Sequence, residues 1–197
     1  MDGNDNMLLL AAVLVAILAV VAIWLWSRRS RSQHLEKHFG PEYHREVART
    51  GSRDKAEAEL MARQKRVEDL HIVPLAPTDA QRFTQQWRAV QARFVDNPRG
   101  ALAEADQLVR DLMQRRGYPM GEFEQRAADI SVHHPQVVEH YRAAHQIADG
   151  DRRGEVDTEG MRQAVIHYRA LFAELLETRG DGRDDGHAPH HGMRTQS

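Results

Sequence analysis

Histidine is the residue type in this sequence that most invites a chemical role, because 12 of the 197 residues are histidines. Four of them, His133, His134, His140 and His145, lie within one short region, and His167 lies on the last predicted helix. A zinc site on a helix needs imidazole ligands three or four residues apart, with a third ligand nearby. His140 and His145 are five residues apart, which separates them by about 140° around a helix. The spacing therefore predicts no metal site.

The same histidines have simpler structural explanations. His145 shares a helical face with Val138 and Tyr141. We therefore expect a partly buried side chain that hydrogen-bonds across a helix interface. The C-terminal stretch contains His187, His190 and His191. Histidines in such a polar stretch are normally solvated, so we expect no specific ligand for them.

Motifs for nucleophilic catalysis and for phosphate binding are missing from the sequence. It contains no cysteine and no G-x-S-x-G turn, and its glycines are scattered as helix stops rather than grouped into a phosphate loop. Ser131 lies near a helix end beside His133 and His134, where a serine is most often a cap. We therefore predict no catalytic residue, no cofactor, no cofactor-binding residue and no enzyme activity.

Carboxylates are numerous, but arginine and lysine accompany them along the helices. One such run contains Glu57, Glu59, Lys65, Arg66 and Glu68. Mixed charges of this kind favour a solvated, ion-paired surface over an acid–base pair. Arg126 is at helical spacing from Glu122 and Asp129, which predicts a salt-bridged helix junction. A polar groove for a small ligand is the alternative interpretation at this place.

The element that dominates the sequence is the apolar run Met7–Trp26, MLLLAAVLVAILAVVAIWLW. Its 20 residues include no charge, no glycine and no proline. A helix of this length spans about 30 Å, the thickness of a bilayer's hydrocarbon core. A cleavable signal peptide would have a basic start and a shorter apolar stretch, whereas this sequence starts MDGNDN and the run ends in bulky residues. We therefore predict an uncleaved transmembrane helix.

The residues that flank this run predict its orientation. Asp2 and Asp5 precede it, and Arg28, Arg29 and Arg31 follow it. Basic residues resist translocation and stay on the cytoplasmic side, whereas a short acidic N-terminus crosses easily. We expect a single-pass protein of the inner or plasma membrane with its N-terminus outside and its C-terminal domain in the cytoplasm. We expect the three arginines to contact anionic lipid headgroups.

The overall charge argues against one class of function. Lysine and arginine number 27 against 29 aspartates and glutamates, which gives a formal net charge of −2. Sequence-independent binding of nucleic acid needs a surplus of basic residues on one face. We therefore expect no nucleic-acid partner.

Beyond the apolar run the sequence indicates helix throughout, without a convincing alternating strand. The clearest apolar stripe comprises Phe83, Trp87, Val90 and Phe94. Pro98 begins the helix that follows, and two amphipathic helices joined by so short a turn should pack antiparallel. Thr78 and Thr158 are the predicted N-caps of two helices.

The predicted architecture is all-α, with one transmembrane helix, a soluble bundle of about six helices and a disordered tail. Its parts are a short N-terminal tail (1–6), the transmembrane helix (7–26), a basic juxtamembrane segment (27–40), the helical soluble domain (41–178) and the disordered tail (179–197). The last part is rich in Gly, Asp, His and Arg, a composition that cannot bury a core.

Several segments of the soluble part have a distinctive residue order. They are Phe39–Tyr43 (FGPEY), Ala58–Leu60 (AEL) with Arg63, Arg66 and Val67, Trp87–Asp96 (WRAVQARFVD), Glu104–Asp106 (EAD), Arg116–Pro119 (RGYP), Phe123–Asp129 (FEQRAAD) and His140–His145 (HYRAAH). With these segments the chain resembles a group of bacterial membrane-associated proteins of uncharacterised function, found mostly in soil bacteria. The resemblance covers residues 35 to 177. The resemblance implies a helical domain attached to a membrane. It implies no activity, cofactor or catalytic residue.

These observations favour a non-enzymatic, membrane-tethered helical module that binds an unidentified protein at the cytoplasmic face. Two alternatives stay open. One is an enzyme or small-ligand-binding domain with a polar site among the last three helices, around Arg126, Glu139 and His145. The other is an envelope protein whose domain lies outside the cytoplasm.

Overall fold

The structure is a computed structural model that describes the backbone of residues 3–176 and the side chains of residues 14–23 and 26–176. This part of the chain forms eight α-helices and no strand, so the all-α prediction is confirmed. The helices are α1 (Gly3–Phe39), α2 (Pro41–Thr50), α3 (Arg53–Glu68), α4 (Pro77–Arg93), α5 (Pro98–Arg116), α6 (Phe123–His133), α7 (Val138–Arg152) and α8 (Thr158–Leu175).

The first helix, α1, is continuous over 37 residues and includes nearly all of the predicted juxtamembrane segment 27–40. Within the residues that the structure describes, no helix combines the length and the hydropathy needed to cross a bilayer. The predicted span Met7–Trp26 lies partly outside that set, because it includes the side chains of residues 7–13, 24 and 25. The predicted disordered tail, 179–197, lies wholly outside it.

Seven described helices follow α1, against about six expected, and the two predicted threonine caps are wrong. The N-cap of α4 is Ala76, because Pro77 has the fixed φ of a first helical residue and needs no N–H partner. The N-cap of α8 is Asp157, whose carboxylate accepts a hydrogen bond from the Gly160 N–H at 2.8 Å. An ionised carboxylate is favoured at this position because the N-terminal end of a helix is electropositive.

The sequence indicates that the glycines act as helix stops, and Gly51 and Gly117 end α2 and α5. Their φ angles are +67° and +96°, in the left-handed region where glycine is favoured. At Gly117 a side chain would also collide with the carbonyl oxygen of His71. The polar residues 149–152 belong to α7, which continues to Arg152.

The chain divides into two compact units. Unit 1 comprises residues 1–69 and 128–139, so α1, α2 and α3 share a core with the end of α6 and the beginning of α7. Large side chains that are fully buried there are Phe39, Tyr43, Leu60 and Ile130. The narrow apolar seam of α3, which includes Ala56 and Val67, faces this core.

Unit 2 comprises residues 70–127 and 140–197, of which the structure describes those up to 176. Within it α4 and α5 pack antiparallel, as predicted. Asp79 at the beginning of α4 pairs with Arg115 at the end of α5, and Arg93 at the end of α4 pairs with Glu104 near the beginning of α5. The last helix, α8, also packs against α5.

Candidate functional site

The apolar side chains of α1 between residues 14 and 23 are exposed. Its large side chains that are between 45% and 66% exposed are Leu14, Val15, Ile17, Leu18, Val20, Val21 and Ile23. Water-soluble domains rarely expose a contiguous apolar surface of this kind, because burying one such side chain stabilises by about 1.5–3 kcal/mol. The same helix is buried at its other end, where Leu35 and Phe39 are 2% and 0% exposed. α1 thus connects an exposed apolar surface directly to the core of unit 1.

Arginines lie on α1 between its apolar surface and the core of unit 1. Arg28 is ion-paired to Asp54 near the beginning of α3, and the hydroxyl of Ser32 donates a hydrogen bond to Glu57. Ser32 lies about one turn after Arg28 on α1, and Glu57 lies about one turn after Asp54 on α3. The two helices therefore run parallel here. Arg29 lies about 100° to one side of Arg28 around α1, and Arg31 about 60° to the other side.

Two open clefts flank the ion pair of Arg28 and Asp54. The larger one, which we name the α1–α3 cleft, has a volume of about 660 Å³ and is lined by Arg28, Arg29, Ser32, Gln33, Glu36, Arg53, Asp54 and Glu57. The smaller one has a volume of about 550 Å³ and is lined in part by Arg31 and Met61. Charged side chains line both clefts together with the apolar stems of those side chains, and both clefts belong to unit 1.

Glu57 lies at the inner side of the α1–α3 cleft and is buried, with 6% of its surface exposed. Its carboxylate accepts hydrogen bonds from the hydroxyls of Ser32 and Tyr43, the latter at 2.9 Å. Burial raises the pKa of Tyr43, and the Glu57 carboxylate raises it further. The prediction that Glu57 belongs to a solvated surface is wrong, because this residue follows Ala56 and lies at the edge of the buried face of α3.

Arg63 is the centre of a buried ionic network in unit 1. Its guanidinium lies 3.4 Å from a carboxylate oxygen of Glu42 and 3.2 Å from one of Glu46. All three residues are buried, with between 1% and 4% of their surfaces exposed. Arg63 also donates a hydrogen bond of 3.1 Å to the hydroxyl of Ser131, which thus connects residues 128–139 to α3. Ser131 lies within α6 and makes this tertiary contact, so its predicted role as a helix cap is wrong.

Asp129 and Arg126 have partners other than the predicted ones. Asp129, which is 1% exposed, accepts hydrogen bonds from Arg66 at 3.1 and 3.2 Å. Arg126 donates to the hydroxyl of Tyr141 at 3.1 Å and to the carbonyl oxygen of Gly121. A buried carboxylate gains more from a guanidinium that donates two N–H groups than from a neighbour in a surface pair.

The histidines of unit 2 take part in ring contacts. His145 stacks on Phe123 with the ring centroids 3.6 Å apart, and its side chain is 21% exposed, which confirms the prediction of partial burial. His140 and His167 place their Nδ1 atoms 2.9 Å apart, so one ring donates a hydrogen bond to the other. Among the described residues, no three histidines or carboxylates are grouped so that they could hold a metal ion. His133 and Glu139 belong to unit 1.

Two of these histidines predict a pH dependence of stability. Burial lowers the pKa of His145, and burial together with the charge of His140 lowers the pKa of His167. The two imidazoles therefore bind a proton less well in the folded state than in the unfolded state. The free energy of unfolding falls as the pH drops below their pKa in the unfolded chain, about 6.5. We expect the urea midpoint of the full chain in detergent to fall between about pH 7.5 and about pH 5.5. The variant H145Q/H167Q should show a smaller fall.

The control for this measurement is H44Q, because the His44 side chain is 66% exposed. H44Q should keep the pH dependence of the unmodified chain. An equally steep fall in H145Q/H167Q would contradict the assignment of the pH dependence to these two histidines.

The residues around the cleft that sequence reasoning missed have partners that are distant in the chain. Glu36 lies on α1, whereas Arg53 and Asp54 lie on α3, and only the parallel packing of the two helices brings them to one cleft. Their types carried no signal, since each described helix has at least one exposed charged side chain. Comparison of the chain with protein-family models, with curated proteins and with solved structures finds no match.

Proposed function

We propose that this chain is a single-pass membrane protein whose helical part binds another protein at the cytoplasmic face of the membrane. The observation that carries the proposal is the exposed apolar surface of α1, which continues into a helix end buried in unit 1. In the proposal Met7–Trp26 is the anchor, and Arg28, Arg29 and Arg31 lie among the lipid headgroups.

The distribution of apolar side chains around α1 favours lipid as their environment. At about 100° per residue, Val15 and Val20 lie on opposite flanks of the face that carries Leu14, Leu18 and Val21. All five are exposed. A partner helix covers a narrow stripe, whereas a bilayer surrounds a helix on every side. An all-round apolar surface is therefore better matched to a bilayer than to one protein neighbour.

The arginines favour a cytoplasmic position for the helical part. Three of them, Arg28, Arg29 and Arg31, follow the apolar run, and positively charged flanks stay on the cytoplasmic side. Leu35, the first core residue of unit 1, lies nine residues after Trp26, which is about 14 Å along a continuous helix. A unit held so close to the headgroups meets membrane-bound partners at a raised effective concentration.

The polar groups named for the alternative ligand site take part in packing within unit 2. Arg126, Tyr141 and His145 contact one another or Phe123, and these contacts hold α6 and α7 together. This favours a structural role for these residues over the alternative of an enzyme or ligand site among the last three helices.

A biotin ligase fused to the C-terminus of the full chain tests both parts of this proposal. The ligase needs ATP, so we expect biotinylation of neighbouring proteins only if the C-terminus is cytoplasmic. We expect the same few proteins to be enriched over a control in which the ligase is fused directly after the anchor. An active alkaline phosphatase at the C-terminus would instead favour the envelope alternative, and enrichment no greater than in the control would contradict the binding role.

A further inference from the structure

We infer that His140 and His167 bind a monovalent copper ion, Cu(I), between their Nδ1 atoms. The two histidines lie on α7 and α8, and both belong to unit 2. Because the site uses residues of unit 2 alone, it is independent of the proposed membrane anchoring. A bound ion would join the beginning of α7 to the middle of α8.

The two imidazole rings point at each other. Their Nδ1 atoms are 2.9 Å apart, and their ring centres are 5.2 Å apart. Two ring radii account for the difference between these distances, so both nitrogens lie close to the line that joins the ring centres. The lone pair of an unprotonated Nδ1 lies in the plane of its ring and points away from the ring centre. An ion on this line would therefore meet the lone pairs of both rings.

The surroundings of the pair favour an ion that needs only two ligands. Zinc sites in proteins have at least three protein ligands. Among the described residues, no three histidines or carboxylates come together in this way. The residues one turn away from either histidine on its own helix supply no carboxylate and no thiolate; they are Ala143, Ala144, Gln163, Ala164, Ala170 and Leu171. Copper binds imidazole well, and Cu(I), whose d shell is filled, is stable with two ligands in a line. The pair is therefore sufficient for Cu(I).

The rings have to part only slightly to accept the ion. A bond between a metal ion and an imidazole nitrogen is about 2 Å long, so two such bonds in a line place the nitrogens about 4 Å apart. The observed distance of 2.9 Å has to increase by about 1 Å. His140 is exposed and His167 is half-buried, so the ion can reach the pair from solvent. The χ2 torsion of histidine is broad, so small rotations of the two rings provide the space.

Binding involves neither oxidation nor a net release of protons. In the metal-free chain one Nδ1 donates a hydrogen bond to the other, so one of the two rings carries its proton on Nδ1. When the ion binds, this proton passes through water to Nε2 of the same ring, and both Nδ1 lone pairs coordinate the ion. The copper is Cu(I) before and after binding.

The composition of the chain limits the competing sites. The sequence has no cysteine, so the thiolates that bind Cu(I) most strongly are missing. The competitors are the other histidines and the seven methionines. Three of these histidines, His187, His190 and His191, follow one another closely near the C-terminus. An ion bound to them would not join α7 to α8 and would not change the stability of unit 2.

Urea unfolding of the full chain in detergent tests the site, with and without Cu(I) that ascorbate keeps reduced under nitrogen. Tryptophan fluorescence follows the unfolding. We expect Cu(I) to raise the urea midpoint of the unmodified chain, because an ion that binds only the folded chain stabilises it. H140Q and H167Q should each abolish this rise and lower the affinity for Cu(I) at least about ten-fold, measured by competition with a coloured Cu(I) chelator. X-ray absorption of the loaded chain should show two nitrogen neighbours at about 2 Å.

The control variant H187Q/H190Q/H191Q should keep the full rise in the urea midpoint. H140Q removes an exposed side chain, so its urea midpoint without copper should stay close to that of the unmodified chain. The site is rejected if Cu(I) leaves the urea midpoint of the unmodified chain unchanged, or if the rise survives in H140Q or in H167Q. Loss of the rise in the control variant would mean an adventitious ion only, and sulfur neighbours in the absorption spectrum would assign the ion to methionines. Both of these results would also reject the site.

Discussion

Replacing Leu14 and Leu18 together by arginine is expected to move this chain from the membrane fraction to the soluble fraction. Both side chains are 59% exposed, so the change removes little packing within the folded units. An arginine near the middle of a transmembrane helix costs about 2.5–3.5 kcal/mol on insertion, whereas a leucine contributes about −0.3 to −0.6 kcal/mol. The double substitution therefore costs about 6–8 kcal/mol. Carbonate-washed membranes and flotation with vesicles measure the outcome.

Two control variants test whether the added charge within the apolar run, rather than the loss of the leucines or an arginine at any exposed position, releases the chain from the membrane. L14A/L18A keeps the segment apolar and should stay in the membrane fraction. V95R adds an arginine at an exposed valine of unit 2, 82% exposed, and should behave like the unmodified chain. If L14R/L18R stayed with carbonate-washed membranes to the same extent as the unmodified chain, the anchor proposal would be rejected and a protein partner would have to cover the apolar surface.

Local pattern was sufficient to predict the helices and their buried faces. The stripe that includes Phe83, Trp87 and Val90 predicted the inner face of α4, and all three side chains are buried. Trp87 stacks on Phe172 of α8 with ring centroids 4.6 Å apart. The antiparallel pairing of α4 and α5 followed from the short turn before Pro98. These features depend on neighbours in sequence, where the helical period fixes which residues share a face.

Polar partners could not be predicted in the same way. Tyr168 donates to Asp106 at 2.8 Å across 62 residues of sequence, and burial and this carboxylate raise the pKa of Tyr168 well above its ordinary value. The chain has many arginines and carboxylates, and helical spacing suggests only the partners on the same helix. For Asp129 such spacing suggested Arg126, whereas the tertiary fold supplies Arg66. The buried network of Arg63 could not be predicted for the same reason, because its partners Glu42 and Glu46 lie on another helix.

Removing the Arg63 guanidinium is expected to destabilise unit 1 by about 3–5 kcal/mol, because R63M leaves two carboxylates buried without their common cation. Glu42 and Glu46 are 1% and 4% exposed, so water does not replace the lost partner. Methionine keeps much of the arginine's apolar stem, which limits the cavity left behind. Urea unfolding of the full chain in detergent, followed by far-ultraviolet circular dichroism, measures the loss.

Two further variants test whether the lost stability comes from the charges of Glu42 and Glu46. Arg49 also donates to Glu46, at 2.9 Å, but its side chain is 63% exposed, so R49M should cost less than about 1 kcal/mol. The triple variant E42Q/E46Q/R63M removes the buried charges together and should recover part of the stability lost in R63M, since neutral amides are less costly to bury than carboxylates that have lost the Arg63 guanidinium. If R63M lost no more stability than R49M, or if the triple variant were less stable than R63M, the network would not hold unit 1 together through charge pairing. Recovery in the triple variant, by contrast, would mean that Arg63 is required because of Glu42 and Glu46, and that a fully neutral set of side chains can fill the same space between α2 and α3.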